Sequence, residues 1–155
     1  MLLSRHRPEE AIPEFQKAIE LAPKFPAAHL SLAVAYLRLK QFEKALEEVR
    51  KAESLGAAPT RVLEIQGSIQ ALSGNTAEAA GIAERLKSGK VAGRVSPYSV
   101  ALIYASMGRN NEAIDWLEKA YDQKDTWTVW TKVLVEWDGL RREPRFNELQ
   151  RKLNF

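Results

Sequence analysis

The sequence predicts an all-α chain, a solenoid of antiparallel helix pairs ending in a C-terminal helical cap. Three observations carry that expectation. Similar Glu-Ala segments return at a fixed step, with Ala11, Ala45, Ala79 and Ala113 each 34 residues from the next. Within each unit the apolar residues recur at helical spacing, and nothing alternates apolar with polar over a strand's length. Gly, Asn and Pro fall between the periodic segments, where helices end and begin.

The elements follow in order within one domain, 1–155. Residues 8–24 read as a half repeat whose helix carries Ala11, Ile12, Phe15, Ala18 and Ile19 on its apolar side. Pro13 removes one backbone donor inside that helix. Full repeats are expected at 26–58, 60–90 and 94–124. In the first, Leu30, Leu32, Ala33, Tyr36 and Leu37 precede a break at Lys40-Gln41, and Ala45, Leu46, Val49 and Ala52 follow it. The corresponding breaks are Ser73-Gly74-Asn75 and Gly108-Arg109-Asn110-Asn111, and Asn75 with Glu78 three residues on suits a helix start. Pro23, Pro59 and Pro97 separate the units.

Residues 125–155 are expected to form the cap. Trp127, Trp130, Leu134 and Trp137 stand at i, i+3, i+7 and i+10, one stripe of a helix covering the last repeat's open face, as solenoid ends require. A stacking platform for bases or sugars would interleave such rings with exposed cations, and only Lys132 lies in this stretch. Phe146, Leu149 and Leu153 then point to a solvated amphipathic helix carrying the basic tail, Arg141, Arg142, Arg145, Arg151 and Lys152.

A second set of residues keeps the same step. Ala33, Gly67 and Ala101 are 34 apart, as are Ala45, Ala79 and Ala113, and each pair belongs to the two helices of one hairpin. Small side chains at a helix crossing let two backbones approach closely, and a bulky one would push them apart. These positions are packing, not chemistry.

A 34-residue helix–turn–helix with a small residue, Tyr, Ala and then Pro resembles the tetratricopeptide repeat. The matching stretches are Leu32-Ala33-x-x-Tyr36 with Ala45-x-x-x-Val49, and Val100-Ala101-x-x-Tyr104 with Ala113-x-x-x-Leu117; Ala11-x-x-x-Phe15 before Pro23 resembles the second half of an earlier unit. The resemblance covers roughly residues 8–122. It departs from the family where His29, Leu63 and Pro97 replace the leading Trp and Gln70 replaces the tyrosine. From Ser96 to Tyr121, and in the tail from Trp127 to Phe146, the chain resembles the closing repeat of bacterial signalling proteins. There the repeats follow a winged-helix, nucleotide cyclase or Ser/Thr kinase domain. That likeness implies a sensory or regulatory region.

Composition narrows the function. Hydrophobic residues make up 45% and charged residues 28%, a globular balance, and a net charge of +3 is too weak to imply direct nucleic-acid binding. No cysteine and only two histidines, His6 and His29, exclude thiolate chemistry and a multi-histidine metal centre, so no cofactor or metal is expected. His29 reads as a packing substitute for a large ring. Glu9, Glu10, Glu43, Glu47 and Glu48 read as outward-facing among lysines, which leaves no carboxylate pair for catalysis. Ser88 to Gly93 lacks the strand and spacing of a phosphate loop. No apolar run approaches the roughly twenty residues of a membrane span, and Met1 to Arg7 contains no cleavable apolar stretch; the expectation is a cytoplasmic protein that does not bind membranes.

Function is therefore expected in the concave groove, lined by the first helix of each unit. Stepping by 34 places Leu30, Val34 and Leu37, then Glu64, Ser68 and Ala71, then Tyr98, Leu102 and Ala105 on its floor. Family members that grip acidic chaperone termini carry Lys, Asn and Arg at such places. This lining has none, and an apolar floor with one carboxylate suits a partner's amphipathic helix or extended apolar peptide. The alternative is self-assembly into a homo-oligomer through the N-terminal helix. Its apolar side over residues 2–19 is expected to face water unless a second copy or an upstream helix covers it.

Overall fold

The computed structural model describes residues 7–132 and 134–153. Eight α-helices run through them: α1 (Pro8–Leu21), α2 (Pro26–Arg38), α3 (Phe42–Ser54), α4 (Pro59–Leu72), α5 (Thr76–Lys87), α6 (Pro97–Ser106), α7 (Asn110–Asp122) and α8 (Pro144–Lys152). Two 3-10 segments, Thr126–Lys132 and Val135–Leu140, lie between α7 and α8. No strand occurs among the described residues. Five of the helices begin with proline in the first turn, where the missing N–H would have no helical partner. Pro23 does not open a helix; Pro26 does, three residues on.

The helices pack as consecutive antiparallel pairs, α2 on α3, α4 on α5 and α6 on α7, with α1 against α2 and α4 against both α3 and α6. The 34-residue step survives at atomic detail. Lys40, Gly74 and Gly108 take left-handed φ values of 57°, 94° and 71°. The N–H of the next residue, Gln41, Asn75 or Arg109, donates to the carbonyl of Tyr36, Gln70 or Tyr104. That bond closes the last turn of each first helix and sends the chain back along it. Asn75 does not form the expected side-chain cap. Its Nδ2 donates instead to Gln70 Oε1 at 2.8 Å, so the glutamine that replaces tyrosine is held by the turn it precedes.

The small residues of the crossings are buried: Ala33, Ala45, Ala79, Ala101 and Ala113 are at 0% exposure, and Gly67 is buried with them. One core cluster gathers α2, α3 and α4 around Val49 and Ile69. The other runs from α4 and α5 to α8 through Ile103, Leu117, Trp137 and Phe146.

The cap differs from the single helical stripe expected of it. Trp127, Trp130, Leu134 and Trp137 are divided between two 3-10 segments with Leu134 extended between them (ψ 138°), so they share no helix face. Trp137 is buried at 0% exposure, whereas Trp127 and Trp130 are 44% and 36% exposed. The expected amphipathic helix is α8: Phe146 and Leu149 are buried, and Arg145 bridges Asp115 and Glu118 on α7, both at 2.8 Å.

Candidate functional site

The inner helices α2, α4 and α6 bring eight of the nine expected lining residues to two adjoining cavities. Leu30, Val34, Glu64, Tyr98 and Leu102 line a cavity of about 540 Å³. Val34, Leu37, Glu64, Ser68, Leu102 and Ala105 line a second of about 310 Å³. Ala71 lines neither and is buried in the core instead. A larger cavity of about 630 Å³ lies between α4 and the loop after α5, but Glu53, Gln66, Arg85, Ser88 and Lys90 give it largely polar walls.

The floor is not the apolar surface with a single carboxylate that the 34-residue stepping implied. Arg38, Arg61 and Glu136 line the first cavity beside Glu64. Arg38 donates from Nε to Glu136 Oε1 at 2.7 Å, joining α2 to the second 3-10 segment across 98 residues of chain. Arg61 donates to Glu64, which also accepts from Ser99 Oγ on α6. The four charges thus cancel in two pairs.

Helix geometry accounts for the arginines. Arg38 continues the row Leu30, Val34 at i+4 steps, and Arg61 precedes Glu64 by one turn on the same face. Both arginines lie on helical rows that are legible in the sequence.

The C-terminal segment supplies the opposite wall. Trp127, Trp130 and Leu134 line the first cavity, Val135 the second, and Glu136 both. Trp137 anchors this segment: its Nε1–H donates to the Tyr98 hydroxyl at 3.0 Å, with the rings edge-to-face at 5.2 Å. Burial pushes the Tyr98 phenol pKa well above its ordinary value, so it stays protonated. The cap is therefore also part of the groove. No local pattern links Trp127 or Trp130 to α2, which is why neither entered the expected lining.

Two models of the tetratricopeptide repeat match the sequence, at residues 2–69 and 98–125. The chain carries tetratricopeptide repeats. A curated relative, "Tetratricopeptide repeat protein 36" of Caenorhabditis elegans, is 42% identical over 55 residues, which cover 36% of this chain and 31% of that protein. The chain thus spans about a third of that relative's length. No solved structure matches. The all-α solenoid of stacked helix pairs is the architecture these tetratricopeptide repeats build.

Within the first tetratricopeptide repeat, His29 is buried as a packing residue, whereas Glu48 is not the outward-facing carboxylate expected. His29 is buried with its Nδ1 2.7 Å from Glu48 Oε2, and Glu48 accepts from Lys51 Nζ at 2.8 Å through its other oxygen. Glu48 does not face outward, because it lies one turn after Ala45 and one before Ala52, on the buried stripe of α3. The pair links α2 to α3 and lines neither groove cavity. Among the described residues no group of His, Asp and Glu gathers that could hold a metal ion, and no helix is long and apolar enough to cross a membrane.

Proposed function

We propose that the repeats form a non-catalytic protein-interaction module whose concave groove holds a short apolar segment of a protein partner. The observation that supports it is the 540 Å³ cavity, walled by Leu30, Val34, Leu102, Leu134 and Trp130, in which each arginine is already matched by a glutamate. An apolar side chain entering there displaces water from apolar walls and leaves both ion pairs intact. The Arg38–Glu136 bridge lines both cavities and divides the groove, which favours an extended peptide over a long helix. Lys substituted for Val34 and Leu102 should weaken partner capture by about tenfold or more, equal to about 1.4 kcal/mol, while helical content stays unchanged. Pull-down of the partner by wild type and by the double variant measures this. Equal capture by the two would place recognition elsewhere.

The likeness of the C-terminal part to closing repeats of bacterial signalling proteins supports a sensory or regulatory setting for this binding. An in-frame winged-helix, cyclase or kinase domain encoded upstream would bear on it directly.

A second reading, self-assembly, is favoured by the apolar surface around α1. Leu21 and Phe25 are 79% and 56% exposed, and Ile12, Phe15 and Ile19 are only half-buried. Residues 2–6 of the expected 2–19 surface lie outside the described residues. Light scattering after size exclusion should show concentration-dependent association of the wild type, and monomers for Ile12→Glu/Ile19→Glu. A wild type that is monomeric at high concentration excludes this reading.

A further inference from the structure

We infer that the segment held in the groove carries carboxylate side chains beside its apolar anchor, and that Arg94 and Lys124 bind them; this rests on the groove reading above. Trp127 is a wall of two cavities. One is the apolar cavity already described. The other, of about 250 Å³, is lined by Arg94, Ser96, Lys124, Asp125, Thr126 and Trp127.

Charge at this second cavity is unbalanced. Asp125 is the one carboxylate lining it, and its two oxygens are engaged by Ser96 Oγ and by the Trp127 backbone N–H at 3.1 Å. Arg94 and Lys124 are exposed, and neither side chain has a hydrogen bond or ion pair among the described residues. Lys124 sits at a defined turn, and Arg94 lies in the loop before α6. Lys124 has a left-handed φ of 53° in the turn that ends α7, and Arg94 follows Gly93 at φ 97°. Arg61, already paired with Glu64, lies 5.3 Å over the Trp127 ring and adds no free charge here.

A partner carboxylate at this lip meets two cations without breaking an existing pair, whereas a partner lysine meets the same two as like charge and finds Asp125 already engaged. The two cavities share one indole, a width spanned by about two residues of extended chain. The anchor and the acidic residue are accordingly near neighbours in the bound segment. A single-stranded nucleic acid fits less well. Stacking needs an open ring face, and the Trp127 ring already has Arg61 over it and Tyr98 stacked at 6.4 Å.

The test is selection from a display library of random nonapeptides on the full chain, followed by fluorescence polarisation of selected peptides made acetylated and amidated. Selected sequences should pair a Leu, Phe or Trp with Asp or Glu within about two residues. Replacing those acids by serine should weaken binding by about fivefold or more at low salt, and less at high salt. Arg94→Ser/Lys124→Ser should remove that acidic preference, keep the dependence on the apolar anchor, and leave the thermal midpoint in place. Apolar peptides selected without acidic neighbours, or an acidic preference that survives the double variant, overturn the inference and leave the groove reading standing. Failure to select any peptide that Val34→Lys/Leu102→Lys releases overturns both. An oligothymidine that binds in a manner dependent on Arg94 and Lys124, and competes with the peptides, reassigns the lip to phosphate and overturns the inference.

Discussion

Trp137→Ala should destabilise the fold by about 3–5 kcal/mol, the range for truncating a large buried aromatic. The side chain is fully buried, and its ring fills the space between α6 and the second 3-10 segment. Truncation opens a cavity and removes the donor that the Tyr98 hydroxyl accepts from at 3.0 Å. At about 2–4 °C per kcal/mol for a chain of this size, the melting midpoint should fall by roughly 6–20 °C in a scanning calorimeter. Trp137→Phe keeps a ring and loses the hydrogen bond, so its smaller shift separates packing from polarity. Trp130→Ala is the matched control, because that ring is 36% exposed and should shift the midpoint far less. Equal, small shifts for all three would mean that the C-terminal segment is not docked on α6. Since the same segment walls the groove, Trp137→Ala should also loosen partner capture at temperatures where the repeats remain folded.

The parts of this structure that repeat were legible in the sequence, and the parts that do not repeat were mostly hidden. Ala33, Gly67 and Ala101 share one step and one role, so periodicity alone placed the crossings and the turns at Lys40, Gly74 and Gly108, and eight of the nine residues it picked out line two adjoining cavities. Residues after Lys124 belong to no period. Spacing of i, i+3, i+7 and i+10 among Trp127, Trp130, Leu134 and Trp137 suits an α-helix, yet the chain adopts two 3-10 segments with Leu134 extended between them, which turns Trp137 into the core and leaves Trp127 and Trp130 at the surface. The Arg38–Glu136 bridge joins residues 98 apart, a pairing that tertiary packing makes and no local pattern encodes. Glu48 is a different case. Its register with Ala45 and Ala52 marked it as inward, but neighbouring lysines made it look solvated. Helical register was the better guide than local charge.

Gly67→Leu should destabilise the chain by about 3 kcal/mol, at the upper end for overpacking a closed core. A Cβ on Gly67 would lie 2.6 Å from Cδ1 and 2.9 Å from Cγ1 of Ile103, and 3.2 Å from Cγ2 of Ile82. Ile103 belongs to α6 of the next repeat and Ile82 to α5 of the same hairpin, so three helices meet over this one hydrogen atom. Both isoleucines are buried, at 0% and 5% exposure, and have little room to give. Intrinsic propensity runs the other way, since glycine inside a helix costs about 1 kcal/mol relative to alanine. Gly81 isolates that second effect. It sits in α5, is exposed, and a Cβ there would meet nothing within 4 Å, so Gly81→Ala should stabilise by about 0.5–1 kcal/mol. Ile103→Val removes the Cδ1 atom that stands nearest Gly67, so in a double-mutant cycle with Gly67→Ala the pair should cost less than the sum of the single changes. Urea unfolding of the five variants decides the matter. Opposite signs at residues 67 and 81, with favourable coupling between 67 and 103, are the expected result; additivity at 67 and 103 would show that α4 and α6 do not cross there.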